Sequence, residues 1–139
     1  MRVAFIFIII ALVLGGCAQK PSYPEAPVSG ELIRLDIPDS PGPVFYSYTH
    51  EGRRIDFFLV KVNGSVESYL DACRKCYPKK LGYRPDGGKV LCRACGIRFP
   101  LDKLREGAGS CQPIALKGRL SGDSYVIEKK DIISGAAYF

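Results

Sequence analysis

The chain has 139 residues, with 20 Lys and Arg against 14 Asp and Glu and a single His, for a formal charge of +6. That length suits one domain, and 15 Gly, 10 Pro and no Trp favour short strands and turns over long helices. The basic residues are scattered and not interleaved with aromatics, so the charge reads as a solvated face with docking to a partner second, not as a nucleic-acid surface. No Ser–His–Asp set, carboxylate pair or phosphate loop supports an enzyme.

The N-terminus reads Met1-Arg2, an apolar run over residues 3–14, then Gly15-Gly16-Cys17. This is a charged start, an apolar core of about a dozen residues and small residues before a cleavage point. The run is shorter than the roughly 20 residues of a membrane span. Leu14-Gly15-Gly16-Cys17 resembles the bacterial lipobox, so residues 1–16 are expected to be a removable lipoprotein signal and Cys17 the lipidated residue. With no twin-Arg pair, the general secretory route is expected. Several acyl chains on one residue hold a protein to a membrane stably, where one alone would not.

Residues 18–30 (AQKPSYPEAPVSG) have little apolar periodicity, and residues 17–30 are expected to be the lipidated cysteine and a flexible tether. The domain proper is expected over 31–139. Residues 31–37 alternate like a short strand, and Pro38-Asp39-Ser40-Pro41-Gly42-Pro43 interrupts any helix or central strand. Residues 44–49 and 54–62 then read as paired strands about a turn at 50–53. Asn63-Gly64 supplies the φ > 0 pair of a tight hairpin turn. Further turns fall at Asp86-Gly87-Gly88, Glu106-Gly107 and Ser121-Gly122-Asp123, with a returning strand over 125–127 and a helical turn over 129–134. The expected fold is mainly β: a small, hairpin-rich domain carrying a two-knuckle CxxC…CxxC ribbon that binds a metal or cluster.

The chemistry lies in residues 71–111. Cys73, Cys76, Cys92 and Cys95 are spaced C-x2-C-x15-C-x2-C, and Cys111 follows. Two cysteines three positions apart fit a turn that points both sulfurs to one side, and two such turns form a tetrathiolate cage for Zn²⁺, a single iron or a cluster. The stretches Asp71-Ala72-Cys73-Arg74-Lys75-Cys76 and Val90-Leu91-Cys92-Arg93-Ala94-Cys95-Gly96 echo each other, so the two loops are expected to face one another. Disulfides are the alternative in an exported protein, although a bridge within CxxC closes a very short loop and is usually redox-active. Covalent haem is not expected, because Tyr77 and Gly96 stand where attachment requires His. Cys111, in a Gly-rich loop, is open to four roles: a fifth ligand, a replacement ligand, a resolving thiol or a plain buried cysteine. Arg74, Lys75, Lys79, Lys80, Arg93 and Arg98 could offset the charge of a thiolate centre. His50 reads as a surface residue, and Phe57, Phe58 and Leu59 as core.

Together with Phe57-Phe58, Gly82-Tyr83-Arg84, Phe99, Gly109-Ser110-Cys111-Gln112-Pro113-Ile114 and Tyr138-Phe139, these segments resemble the FtrD-like family of membrane iron–sulfur proteins. The likeness spans residues 55–116 and the last two residues. It implies a bacterial envelope protein linked to iron transport, with Cys73, Cys76, Cys92 and Cys95 holding an iron–sulfur centre that passes electrons and Cys111 as an accessory. Three functions follow as expectations. The first is an electron-transfer or iron-handling protein with an iron–sulfur cluster or single iron, lipid-anchored outside the cytoplasm and exchanging with envelope redox or iron-transport proteins. The second is a structural zinc ribbon in a binding or scaffold module. The third is a thiol–disulfide carrier.

Overall fold

The computed structural model describes residues 20–139; the expected signal over 1–16 and the expected lipidation site Cys17 lie outside the described residues. The chain forms β1 (Val28–Ser29), β2 (Leu32–Asp36), β3 (Val44–His50), β4 (Arg53–Val62), β5 (Ser65–Cys73), β6 (Tyr83–Asp86), β7 (Lys89–Cys92), β8 (Arg98–Pro100), β9 (Pro113–Leu116), β10 (Arg119–Ser121) and β11 (Ser124–Glu128), then the short helix α1 (Lys129–Ile133). These strands make three antiparallel sheets, ordered β1-β2-β11-β10, β3-β4-β5-β9 and β6-β7-β8. Among the described residues no helix is long and apolar enough to cross a membrane.

Strand β4 organises the packing. Its side chains alternate between two cores, as the period of two in a strand requires. Ile55, Phe57 and Leu59 enter a core shared with Ile33, Leu35, Tyr125, Ile127 and Ile132. Phe58 and Val60 enter a second core with Tyr69, Tyr83, Val90, Phe99 and three of the cysteines. Phe57, Phe58 and Leu59 are fully buried, each contributing roughly 1.5–3 kcal/mol of apolar burial. The second core rests the three-stranded sheet, which carries Cys92, against the central sheet, which carries Cys73.

The hairpins follow turn chemistry. Asn63 and Gly64 take φ of 50° and 79° between β4 and β5, the left-handed pair that matches the twist of the flanking strands. His50 ends β3, with its ring against Tyr48.

Residues 20–30 correct the expectation of a flexible tether. Ala26 is buried, its amide donates to the Ser47 carbonyl at 2.8 Å, and the Ser47 amide donates to the Pro24 carbonyl at 2.8 Å. Tyr23 stacks on Phe45 at 4.8 Å. Lys20 is the deepest anchor, with Nζ 3.0 Å from Asp56 Oδ2 and 2.7 Å from Asp71 Oδ2, and over the Phe139 ring at 5.2 Å. Pro and Ser mark this segment as unable to form regular structure, but composition says nothing of its docking partners, which lie in distant strands.

Candidate metal centre

Five cysteines from three separate stretches meet at one end of the second core. Cys73 closes β5 and Cys92 closes β7, each followed by a tight turn carrying Cys76 or Cys95. The two turns share one hydrogen-bond logic. The amides of Lys75 and Cys76 favour the charged form of the Cys73 sulfur, and those of Ala94 and Cys95 that of Cys92. The Ile97 amide does the same for Cys95. Backbone donors two and three positions after a sulfur are what a CxxC turn offers a thiolate, which accepts them more strongly as an anion.

Cys111 arrives from the loop before β9. Its amide and carbonyl pair with Ala108 at 3.1 and 2.8 Å, and the Arg74 amide donates to the Gln112 carbonyl at 2.9 Å, tying that loop to the first turn. The pairing of β5 with β9 shifts register between Leu70 and Cys73, as at a bulge that re-aims side chains.

The sulfurs fall into two overlapping groups. Those of Cys73, Cys76 and Cys111 lie within 4.8 Å of one another, as do those of Cys76, Cys92 and Cys95. The two loops therefore face each other as their likeness suggests. The grouping differs from a simple four-cornered cage, because Cys111 joins it and Cys76 belongs to both sets. All five are free thiols. Cys73, Cys92 and Cys111 are buried, Cys76 is half-buried and Cys95 is exposed. An all-sulfur donor set with backbone N–H groups already aimed at it fits Zn²⁺, iron or an iron–sulfur cluster, and not a hard cation such as Ca²⁺ or Mg²⁺.

Protonation is uneven across the set. Burial pushes Cys73 upward, but the Cys76 amide, the Tyr83 hydroxyl and the Lys75 amide together bring it down to about 7 from 9.0. Burial pushes Cys92 up to about 11, against the amides of Cys95 and Ala94. Burial likewise raises Cys76 and Cys111, whereas Cys95 ends lowered by the Ile97 amide and the neighbouring thiols.

Outside, Lys75, Pro78, Lys79, Ala94, Cys76, Cys95 and Cys111 line an open cavity of about 310 Å³. Lys75 and Lys79 thus stand at the rim, whereas Arg98 pairs with Asp86 and Arg93 donates to the Tyr83 carbonyl at 3.1 Å. Arg74 is exposed. Lys80 lines a narrow cleft on the inner side together with Lys20, Asp71, Cys73 and Gly82.

Three supporting residues stand in the family-like segments of the sequence without a role that spacing assigns them. Asp71 is buried; its Oδ1 accepts from the Tyr83 amide at 2.6 Å, and its Oδ2 meets Lys20 by charge without hydrogen-bond alignment. Burial raises its pKa, opposed chiefly by Lys20. Gly82 has φ +62°, and a Cβ there would stand 2.5 Å from the Asp71 carboxylate, so only glycine lets the chain pass. Tyr83 is fully buried between Phe58 and Phe99, and its hydroxyl has no full hydrogen-bond partner, lying in reach of the Cys73 sulfur.

A family model described as membrane iron-sulfur containing protein, FtrD-like, matches residues 42–139. No curated protein and no solved structure matches the chain significantly.

Proposed function

The chain belongs to the FtrD-like family of membrane iron-sulfur containing proteins, and from that premise we propose that it is an exported, lipid-anchored carrier of an iron–sulfur or iron centre, serving electron transfer or iron handling in the bacterial envelope. The observation that carries this reading is the convergence of five free thiols in two overlapping groups. Cys73, Cys76, Cys92 and Cys95 act as ligands, Cys111 adds a fifth sulfur, and Cys17 carries the lipid. When bound, such a centre supplies a one-electron couple.

The remaining chemistry belongs to the polypeptide. The amides of Lys75, Cys76, Ala94 and Cys95 orient the inner sulfurs and stabilise their charge. Tyr83, Phe58 and Phe99 close the inner side to water. Cys95 presents the exposed edge where electrons can enter and leave, and Lys75 and Lys79 favour a partner with an acidic face. A second reading, a structural zinc ribbon, draws on the same convergence, since an ion at this place would join three separate stretches of chain.

Elemental analysis and a visible spectrum of the full chain, exported in its own route and purified without air, test the proposal. Iron with broad visible absorbance and a reversible redox signal is the expected result. A colourless, redox-silent protein with zinc would overturn it in favour of the structural ribbon.

A further inference from the structure

Five sulfurs exceed what one ion can hold. Zinc and iron in thiolate sites take four sulfurs at about 2.3 Å in a tetrahedron, so sulfurs sharing an ion stand roughly 3.8 Å apart. The sulfurs of each group of three, Cys73–Cys76–Cys111 and Cys76–Cys92–Cys95, lie within 4.8 Å of one another, near enough for a small inward shift to seat an ion, but the five as a whole do not form one such group. The groups are not separate either. Cys76 belongs to both, and Cys76, Cys95 and Cys111 line one cavity, so the two triples abut along the line between the second turn and the loop before β9.

Charge points the same way. Five thiolates around one divalent ion would leave a formal excess of three negative charges beside the buried Cys73, Cys92 and Cys111. Burying unpaired charge is expensive. Two divalent ions reduce the excess to one, which Lys75 and Lys79 at the rim can offset.

We infer that the site is built for two metal ions joined through the Cys76 sulfur, with Cys73 and Cys111 completing one ion's thiolates and Cys92 and Cys95 the other's. Each ion then has three protein sulfurs and one position facing the open cavity, where a water, a sulfide or a partner's ligand can sit. Cys111 is a full ligand in this arrangement and not an accessory. The inference rests on the proposal that the cysteines hold metal, and deepens it by fixing the number of ions and the shared ligand.

The test uses the reduced, metal-free full chain in detergent, titrated without air with the NMR-active cadmium isotope. Native mass spectrometry is expected to give two ions per chain, and cadmium NMR two signals split by each other through the shared sulfur. Cys76→Ser is expected to hold no more than one ion. Saturation at one ion, with Cys111 still open to alkylation, would overturn the two-ion site while leaving the metal-binding proposal standing. Two unsplit signals, with both ions kept by Cys76→Ser, would overturn the bridge. Absence of any binding would remove the metal-binding proposal itself. Because the splitting is read on the wild-type chain, the result stands even where the variant fails to fold.

Discussion

The Asp71 carboxylate accepts the backbone amide of Tyr83 at 2.6 Å, and this bond joins the two halves of the cysteine site: Asp71 lies two residues before Cys73, and Tyr83 pairs with Cys92 across β6 and β7. The same carboxylate holds Lys20 at 2.7 Å. Removing it leaves the buried Tyr83 amide without its acceptor and Lys20 with Asp56 as its remaining carboxylate. Asp71→Ala is expected to lose about 1–3 kcal/mol of unfolding free energy, the cost of an unsatisfied buried group. Asp71→Asn keeps an acceptor for the amide and should lose less. Urea unfolding of both variants checks the order.

Gly82→Ala places a methyl 2.5 Å from that carboxylate at a φ of +62°. The left-handed backbone alone costs roughly 1–2 kcal/mol, and the displaced Asp71 adds to it. Thermal unfolding should show the loss, and metal should leave the variant faster in a chelator competition.

Tyr83→Phe removes only a hydroxyl that has no full partner, so the melting temperature should change little. The hydroxyl helps hold Cys73 in its charged form, and a donor to a thiolate ligand favours the more electron-rich, reduced centre. The variant's potential is therefore expected to fall, on the order of the 59 mV that equals a tenfold change in a one-electron couple. An unchanged potential would separate Tyr83 from the centre.

Stability of the metal-free domain should depend on pH in both directions. Cys73 sits at about 7 in the fold against an ordinary 9.0, so between those values unfolding takes up a proton and stability rises with pH. Cys92 sits at about 11 against the same 9.0, so above 9.0 unfolding releases a proton and stability falls. A maximum near pH 9 is expected from denaturant titrations of chelated protein. Bound metal keeps the sulfurs deprotonated and should flatten the profile above neutrality, with loss of metal only on acidification.

Much of the fold could be read locally. The alternation in residues 44–49 and 54–62 and the Asn63-Gly64 turn correspond to β3, β4 and the hairpin into β5, because strand period and turn dihedrals are properties of neighbouring residues. The helical turn over 129–134 corresponds to α1, one residue shorter. The CxxC pairs were legible for the same reason, each being a turn with its own amide donors. The place of Cys111 was not, since it depends on the irregular register of β5 against β9. Nor were the roles of Asp71, Tyr83 and Lys20, whose contacts span 12 to 51 residues of chain and leave no periodic trace.

The docking of Lys20 has a consequence for how the protein would meet others. Only Ala18 and Gln19 separate it from Cys17, a reach of about 10 Å at full extension. A lipid on Cys17 would therefore seat the inner cleft, with Lys20, Cys73 and Phe139, at the level of the lipid headgroups and deny the domain any wide swing into the surrounding fluid. Its search for a partner would then be two-dimensional, along the bilayer, and would favour proteins that present their own redox or iron-binding groups close to that surface.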